Sequence, residues 1–169
     1  MSVNLSARQL VDPNLVVDVR VILDATGLDP TRLILEITEN TFLTDTVVVR
    51  EQLRQIRELG VRFAIDDFGT GYSSLSYLRQ FPVDILKIDR SFVDGVATGW
   101  QGQAFLRAIV GLTETLSMVA VAEGVETAEQ LEVLRRVRCP FGQGYLFCRP
   151  VPVADFLAYL KPNNSIQSG

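Results

Sequence analysis

Ala64-Ile-Asp-Asp-Phe-Gly-Thr-Gly71 runs from apolar residues into two adjacent carboxylates and then a glycine-rich bend. Neighbouring carboxylates repel unless a proton or a cation sits between them, so Asp66 and Asp67 point to a metal site, although alone they would also fit a turn or helix-cap pair. Leu33-Ile-Leu-Glu36 and Val119-Ala-Val-Ala-Glu123 also end apolar runs in an acid, and Val83-Asp-Ile-Leu-Lys87 ends one in a base. If these runs are parallel strands of one sheet, their charged ends converge on one face, where barrel enzymes keep their chemistry.

Working outward, strand-like runs alternate with helical spacing. Strands are expected at residues 3–5, 32–37, 61–65, 83–88, 119–122 and 145–147. Asp12-Pro13 offers an N-cap and a first-turn proline for a helix closed by Gly27. Residues 47–59 carry apolar side chains at helical spacing, with Gly60 at the left-handed cap position. Further helices are expected over 73–78, 104–116 and 154–160, and Thr127-Ala-Glu-Gln130 matches a capping box that opens another. Gly69 and Gly71 suit unusual backbone angles after the aspartates. Residues 1–162 read as one partial domain and the polar stretch 163–169 as a disordered tail.

Composition narrows the chemistry. The chain has 169 residues, 47% of them hydrophobic, enough for one substantial core. It contains no histidine, which excludes histidine-dependent nucleophile systems and histidine zinc sites within this chain. Cys139 and Cys148 lack partners at zinc-ligand spacing and read as a reduced pair. A net charge of −4 argues against a DNA or RNA polymer as partner. Arg107 and Glu114 interrupt the most apolar stretch, so no membrane segment is expected and a cytoplasmic location is the default.

Alternating strands and helices allow either a doubly wound open sheet or a (β/α)8 barrel. An open sheet gathers its ligand contacts at one switch point, whereas here at least four strands end in charged groups, which a barrel explains better. Length is the objection, because such barrels usually need about 250 residues.

Asn4-Leu-Ser6, Leu35-Glu-Ile-Thr-Glu39, Asp66-Asp-Phe-Gly-Thr-Gly71, Leu86-Lys-Ile-Asp89, Ala122-Glu-Gly-Val-Glu-Thr127 and Gln143-Gly-Tyr145 occur in that order. Together they resemble the EAL-type cyclic di-GMP phosphodiesterases. The resemblance implies a TIM-like (β/α)8 barrel of the EAL type, truncated here to about six βα units with the first two strands missing. It also implies two Mg²⁺ or Mn²⁺ ions, inhibition by Ca²⁺, and hydrolysis of cyclic di-GMP to linear pGpG.

Carried over by motif, Asn4, Glu36, Asp66 and Asp67 would be metal ligands, with Asp66 shared between the ions. Lys87 and Glu123 would orient and activate the attacking water, and Gln143 would support that network. Glu39 would hold the loop after Asp67, and Glu126 would orient its neighbours or merely cap a helix. Hard divalent ions prefer oxygen ligands, which these residue types supply. A homodimer, and upstream sensory or GGDEF-type domains in a parent protein, are implied as partners.

The Glu-Ala-Leu segment that names the family, with another metal-ligating glutamate, belongs upstream of Asn4. The resemblance thus covers about the last two-thirds of the family domain. Unpaired sheet edges and weakened metal binding are expected, with little or no hydrolysis by the lone chain. A non-catalytic cyclic di-GMP sensor and an inactive dimerising fragment are the alternatives.

Overall fold

Leu35 and Ile37, Phe63 and Ile65, Leu86 and Ile88, and Ala120 and Ala122 are all buried. Each pair is two residues apart, the spacing that places side chains on one face of a strand. The computed structural model describes residues 1–39, 47–69, 78, 81–97 and 99–159. Among these, β1 (Ser2–Asn4), β2 (Ile34–Thr38), β3 (Arg62–Phe68), β4 (Ile85–Ile88), β5 (Val119–Ala122) and β6 (Phe141–Gly142) form one six-stranded sheet.

Every pairing is parallel, and the strand order follows the sequence without a reversal. A doubly wound sheet would show a reversal at its switch point; sequential order is that of a barrel wall. β1 and β6 are the two edges of this wall.

Helices cover the apolar face of the sheet. After β1 come α1 (Ala7–Leu10) and α2 (Leu15–Thr26), and β2 is followed by α3 (Val47–Glu58). α3 buries Val49, Leu53 and Ile56, a stripe at helical spacing, while Arg54 pairs with Glu51 and Glu58 on the exposed side. β4 leads into the short α4 (Arg90–Asp94) and the long α5 (Trp100–Thr115), which buries Leu106, Ile109 and Val110. After β5, α6 (Ala128–Arg136) buries Val133 and Leu134, and α7 (Val153–Tyr159) ends the described chain.

The capping box at Thr127 forms as expected: its hydroxyl accepts from the Gln130 backbone N–H at 3.2 Å, and the Gln130 side-chain Oε1 accepts from the Thr127 N–H at 2.9 Å. Thr127→Ala should therefore lower the unfolding free energy by about 1 kcal/mol, read from a urea melt.

Some boundaries differ from the sequence expectation. Asp12 Oδ1 accepts from the Asn14 N–H at 2.9 Å and folds Asp12-Pro13 into a turn, so α2 starts at Leu15 behind Asn14. The last strand is Phe141–Gly142, not residues 145–147. Gln143 N–H donates to Ala122 O at 2.8 Å, and Leu146 N–H then donates to Val125 O at 3.0 Å, which bends the chain across the end of β5. α5 begins at Trp100, which is 77% exposed, and not at residue 104. Both cysteines are free thiols. The helix expected over 73–78 lies outside the described residues except for buried Leu78, as do Gly71 and the tail 163–169.

Candidate functional site

The strand register explains why residues far apart in sequence share one surface. Asn4 lies opposite Glu36, Thr38 opposite Asp66, and Lys87 opposite Val121. Opposed residues in a sheet share a face, and the buried alternates are packed under the helices. Asn4, Glu36, Asp66 and Lys87 thus fall on the other, inward face, and Glu123 follows β5 in the same alternation.

Asp67 would ordinarily point away from its neighbour. Instead, the β3–β4 register shifts between Ile65 and Phe68, a bulge that sets two aspartates against one residue of β4. Asp67 takes φ 55°, uncommon for a residue with a side chain and typical of strain retained at working sites. Oxygens of Asp66, Asp67 and Glu123 consequently come within 4.8 Å of one another, a grouping that could hold a metal ion. All three are hard carboxylate donors, which fits Mg²⁺ or Mn²⁺.

Lys87 sits at the centre and is only 7% exposed. Its Nζ lies 2.7 Å from Asp66 Oδ1, 2.9 Å from Glu36 Oε2 and 2.9 Å from Glu123 Oε1. Burial alone would depress the Lys87 pKa, but hydrogen bonds to Asp66, Glu123 and Glu36 outweigh it and raise the pKa above its usual value. Among the described residues, Lys87 is the one cation these carboxylates share. Burial lifts the Glu123 pKa and Lys87 only partly pulls it back, leaving it above the carboxylate norm. Asp67 is also raised, first by burial and then by the charges of Asp66 and Asp89. The cluster is thus short of positive charge.

The loops around it are tied down. Buried Glu39 accepts from the Gly69 N–H at 2.7 Å through Oε2, directly behind the aspartates. The Gln143 side-chain amide donates to Glu123 Oε1. Glu126 accepts from Arg90 Nη1 at 2.7 Å and is held by its own N–H, which donates to Gln130 Oε1 at 2.7 Å. A cleft of about 630 Å³ opens beside Glu123, lined by Arg90, Gln143, Tyr145 and Arg149. The Arg149 guanidinium lies 4.5 Å from the Tyr145 ring centre.

Asn4 stands apart. It shares the inward face by register, but it is exposed and lines a second cleft of about 670 Å³ at the β1 edge with Leu5, Leu15 and Leu35. The sequence reading quoted Asp89 within a motif but gave it no role, and it passed over Arg90 and Phe92. Asp89 had a readable signal, since it stands two residues after Lys87 and so continues the same face. Its side chain caps α4, accepting from the Ser91 N–H at 3.0 Å.

A parallel βα wall bearing a carboxylate cluster around one lysine defines a barrel-type domain built to hold divalent cations. The sequence pattern of the EAL domain matches residues 1–150, and the chain belongs to that family. It is 43% identical over 161 residues to the cyclic di-GMP phosphodiesterase NbdA of Pseudomonas aeruginosa, covering 95% of this chain and 21% of that protein. The chain spans about a fifth of the length of the curated relatives it matches. The PaMucR phosphodiesterase solved in complex with c-di-GMP is 46% identical, with a TM-score of 0.85, covering 92% of this chain and 63% of that one. Klebsiella pneumoniae BlrP1, solved with manganese and cy-diGMP, is 37% identical with a TM-score of 0.82, covering 88% of this chain and 38% of that one. Among the described residues no helix is long and apolar enough to cross a membrane.

Proposed function

We propose that this chain binds cyclic di-GMP on the inward face of its β wall and, with divalent cations, hydrolyses it to linear pGpG. The observation that carries this reading is the gathering of Glu36, Asp66 and Glu123 around Lys87, with Asp67 brought to the same face by the bulge. The c-di-GMP complexes of similar chains support the choice of ligand.

Asp66 and Asp67 would hold the cations, assisted by Glu36 and Asn4, with Glu123 beside them in the same oxygen grouping. Bound there, Mg²⁺ or Mn²⁺ would supply positive charge to the phosphate and make water a better nucleophile. The chain's own groups do the positioning. Glu123 Oε1 accepts from both Lys87 and Gln143, which leaves Oε2 to take a proton from the attacking water. Its raised pKa suits it to that role, because a base works best with a pKa near the working pH. Lys87 Nζ holds the carboxylates in place and stays charged as the phosphorus centre gains negative charge. Glu39 would keep the backbone after Asp67 fixed, and Glu126 would orient the turn after Glu123.

Exposure of Asn4 at an open sheet edge favours a second reading, in which the lone chain binds the nucleotide without cleaving it. Calorimetry with cyclic di-GMP and Ca²⁺, set beside chromatographic assay for pGpG in Mn²⁺, separates the two. Binding with product supports the enzyme, binding without product supports the sensor, and no binding with either cation overturns both.

A further inference from the structure

We propose that Arg90 is a positioning residue for Glu123, clamping the turn that carries it. The inference rests on the functional reading above. β5 ends at Ala122, and the chain then turns through Gly124 at φ 69°, a left-handed conformation that glycine adopts without strain. The aliphatic stem of Arg90 lies directly over this glycine: a Cβ at Gly124 would fall 2.5 Å from Arg90 Cγ and 2.8 Å from Arg90 Cβ. No side chain fits between them, so the stem caps the turn from one side.

Its guanidinium fixes the stem at two points. Nε donates to Asp94 Oδ2 at 2.9 Å on its own helix, and Nη1 donates to Glu126 Oε1 at 2.7 Å across the turn. Gln130 closes the circuit, donating from Nε2 to Asp94 Oδ1 at 3.1 Å and accepting the Glu126 N–H. From the opposite side, Gln143 O accepts the Val125 N–H at 3.0 Å while its side chain holds Glu123. Glu123 therefore leaves a turn gripped between α4 and the β6 segment.

α4 also reaches the aspartates. The Phe92 ring packs so closely on Gly69 that a Cβ there would overlap it, and Phe92 stacks on Phe105 of α5 with ring centres 5.0 Å apart. One short helix thus braces the backbone behind Asp67 with Phe92 and the backbone behind Glu123 with Arg90.

An exposed ion-pair network contributes little to stability, so Arg90 separates positioning from folding. The test compares Arg90→Ala, Arg90→Met and Arg90→Lys by Mn²⁺ titration calorimetry, with thermal melts of the metal-free chain alongside. Glu123 completes the oxygen grouping with Asp66 and Asp67 that could hold a metal ion, and partners that orient metal ligands typically cost 10- to 100-fold in affinity when removed, so Arg90→Ala should bind Mn²⁺ at least about 10-fold more weakly. Its melting temperature should move by no more than about 4 °C. Arg90→Met, which keeps the stem, should lose about threefold, and Arg90→Lys should recover most of the affinity.

A folded Arg90→Ala chain with wild-type Mn²⁺ affinity overturns the clamp and leaves the functional reading standing. If Arg90→Ala does not fold, wild-type affinity in Arg90→Met overturns it instead. A wild-type chain that binds no Mn²⁺ overturns the functional reading, and this inference with it.

Discussion

Lys87→Met should cost the metal-free chain about 3–5 kcal/mol of stability at neutral pH, because it leaves carboxylates buried or half-buried without their cation. Methionine matches the length of the lysine stem, so the packing of the strand is largely kept and the loss is electrostatic. Nζ lies within 2.9 Å of Asp66, Glu36 and Glu123, and among the described residues no other cation pairs with any of the three. The pH dependence has a definite sign. Glu123 and Asp67 already have folded pKa values above their ordinary ones. The stability linked to such groups is fully present below the unfolded pKa and is lost as pH rises through the folded pKa. Removing the ammonium, which pulls both groups down, lifts those values further. The Lys87→Met deficit should therefore shrink on acidification toward about pH 5 and widen toward about pH 8, as urea melts at each pH would show. Mn²⁺ should recover part of the loss in the variant. A deficit independent of pH would mean that Lys87 matters through packing alone.

The strand faces were legible in the sequence because alternation is a local property. Leu35 and Ile37 flank Glu36, and Leu86 and Ile88 flank Lys87, so the charged member of each run had to face the other way. The six-strand parallel wall followed from the alternation of such runs with helices. The bulge was not legible. Ending β3 at Ile65 was reasonable from β-propensity, since Asp is depleted in strands. Whether Asp66 and Asp67 stay in the sheet depends on their pairing with Ile85–Ile88, which no local pattern encodes.

The support behind the site was hidden for a similar reason. α4 spans five residues, too few for an apolar period, and only the Asp89 cap announces it. Arg90 meets Glu126 across 36 residues of sequence. The last strand was misplaced because Tyr145 and Phe147 have high strand propensity. Tertiary hydrogen bonding by Gln143 to Ala122 and Val125 overrode it. The motif residues themselves were found because charged groups at strand ends are visible one at a time; their bracing is visible only once the chain is folded.

Asp66→Asn should move stability and metal binding in opposite directions, and that divergence separates a cation site from a structural ion-pair network. The asparagine side chain keeps an oxygen where Asp66 Oδ1 meets Lys87, so the metal-free chain retains that hydrogen bond while shedding a charge that repels Asp67. Its stability should hold or rise by about 1 kcal/mol, within the ordinary range for relieving like-charge repulsion. Mn²⁺ binding should weaken by at least about 100-fold, since loss of a charged ligand exceeds the effect of losing its support. The readout is the Mn²⁺-induced rise in melting temperature. Wild type at a hundredfold excess of metal over Kd gains about 2.7 kcal/mol, and the variant at the same concentration should gain almost none. If the cluster were only a network of ion pairs, Mn²⁺ would shift the melting temperature of neither protein. A functional cluster keeps repulsion that a purely structural one would discard, so a metal-free chain that gains stability from Asp66→Asn while losing Mn²⁺ would place this cluster in the first class.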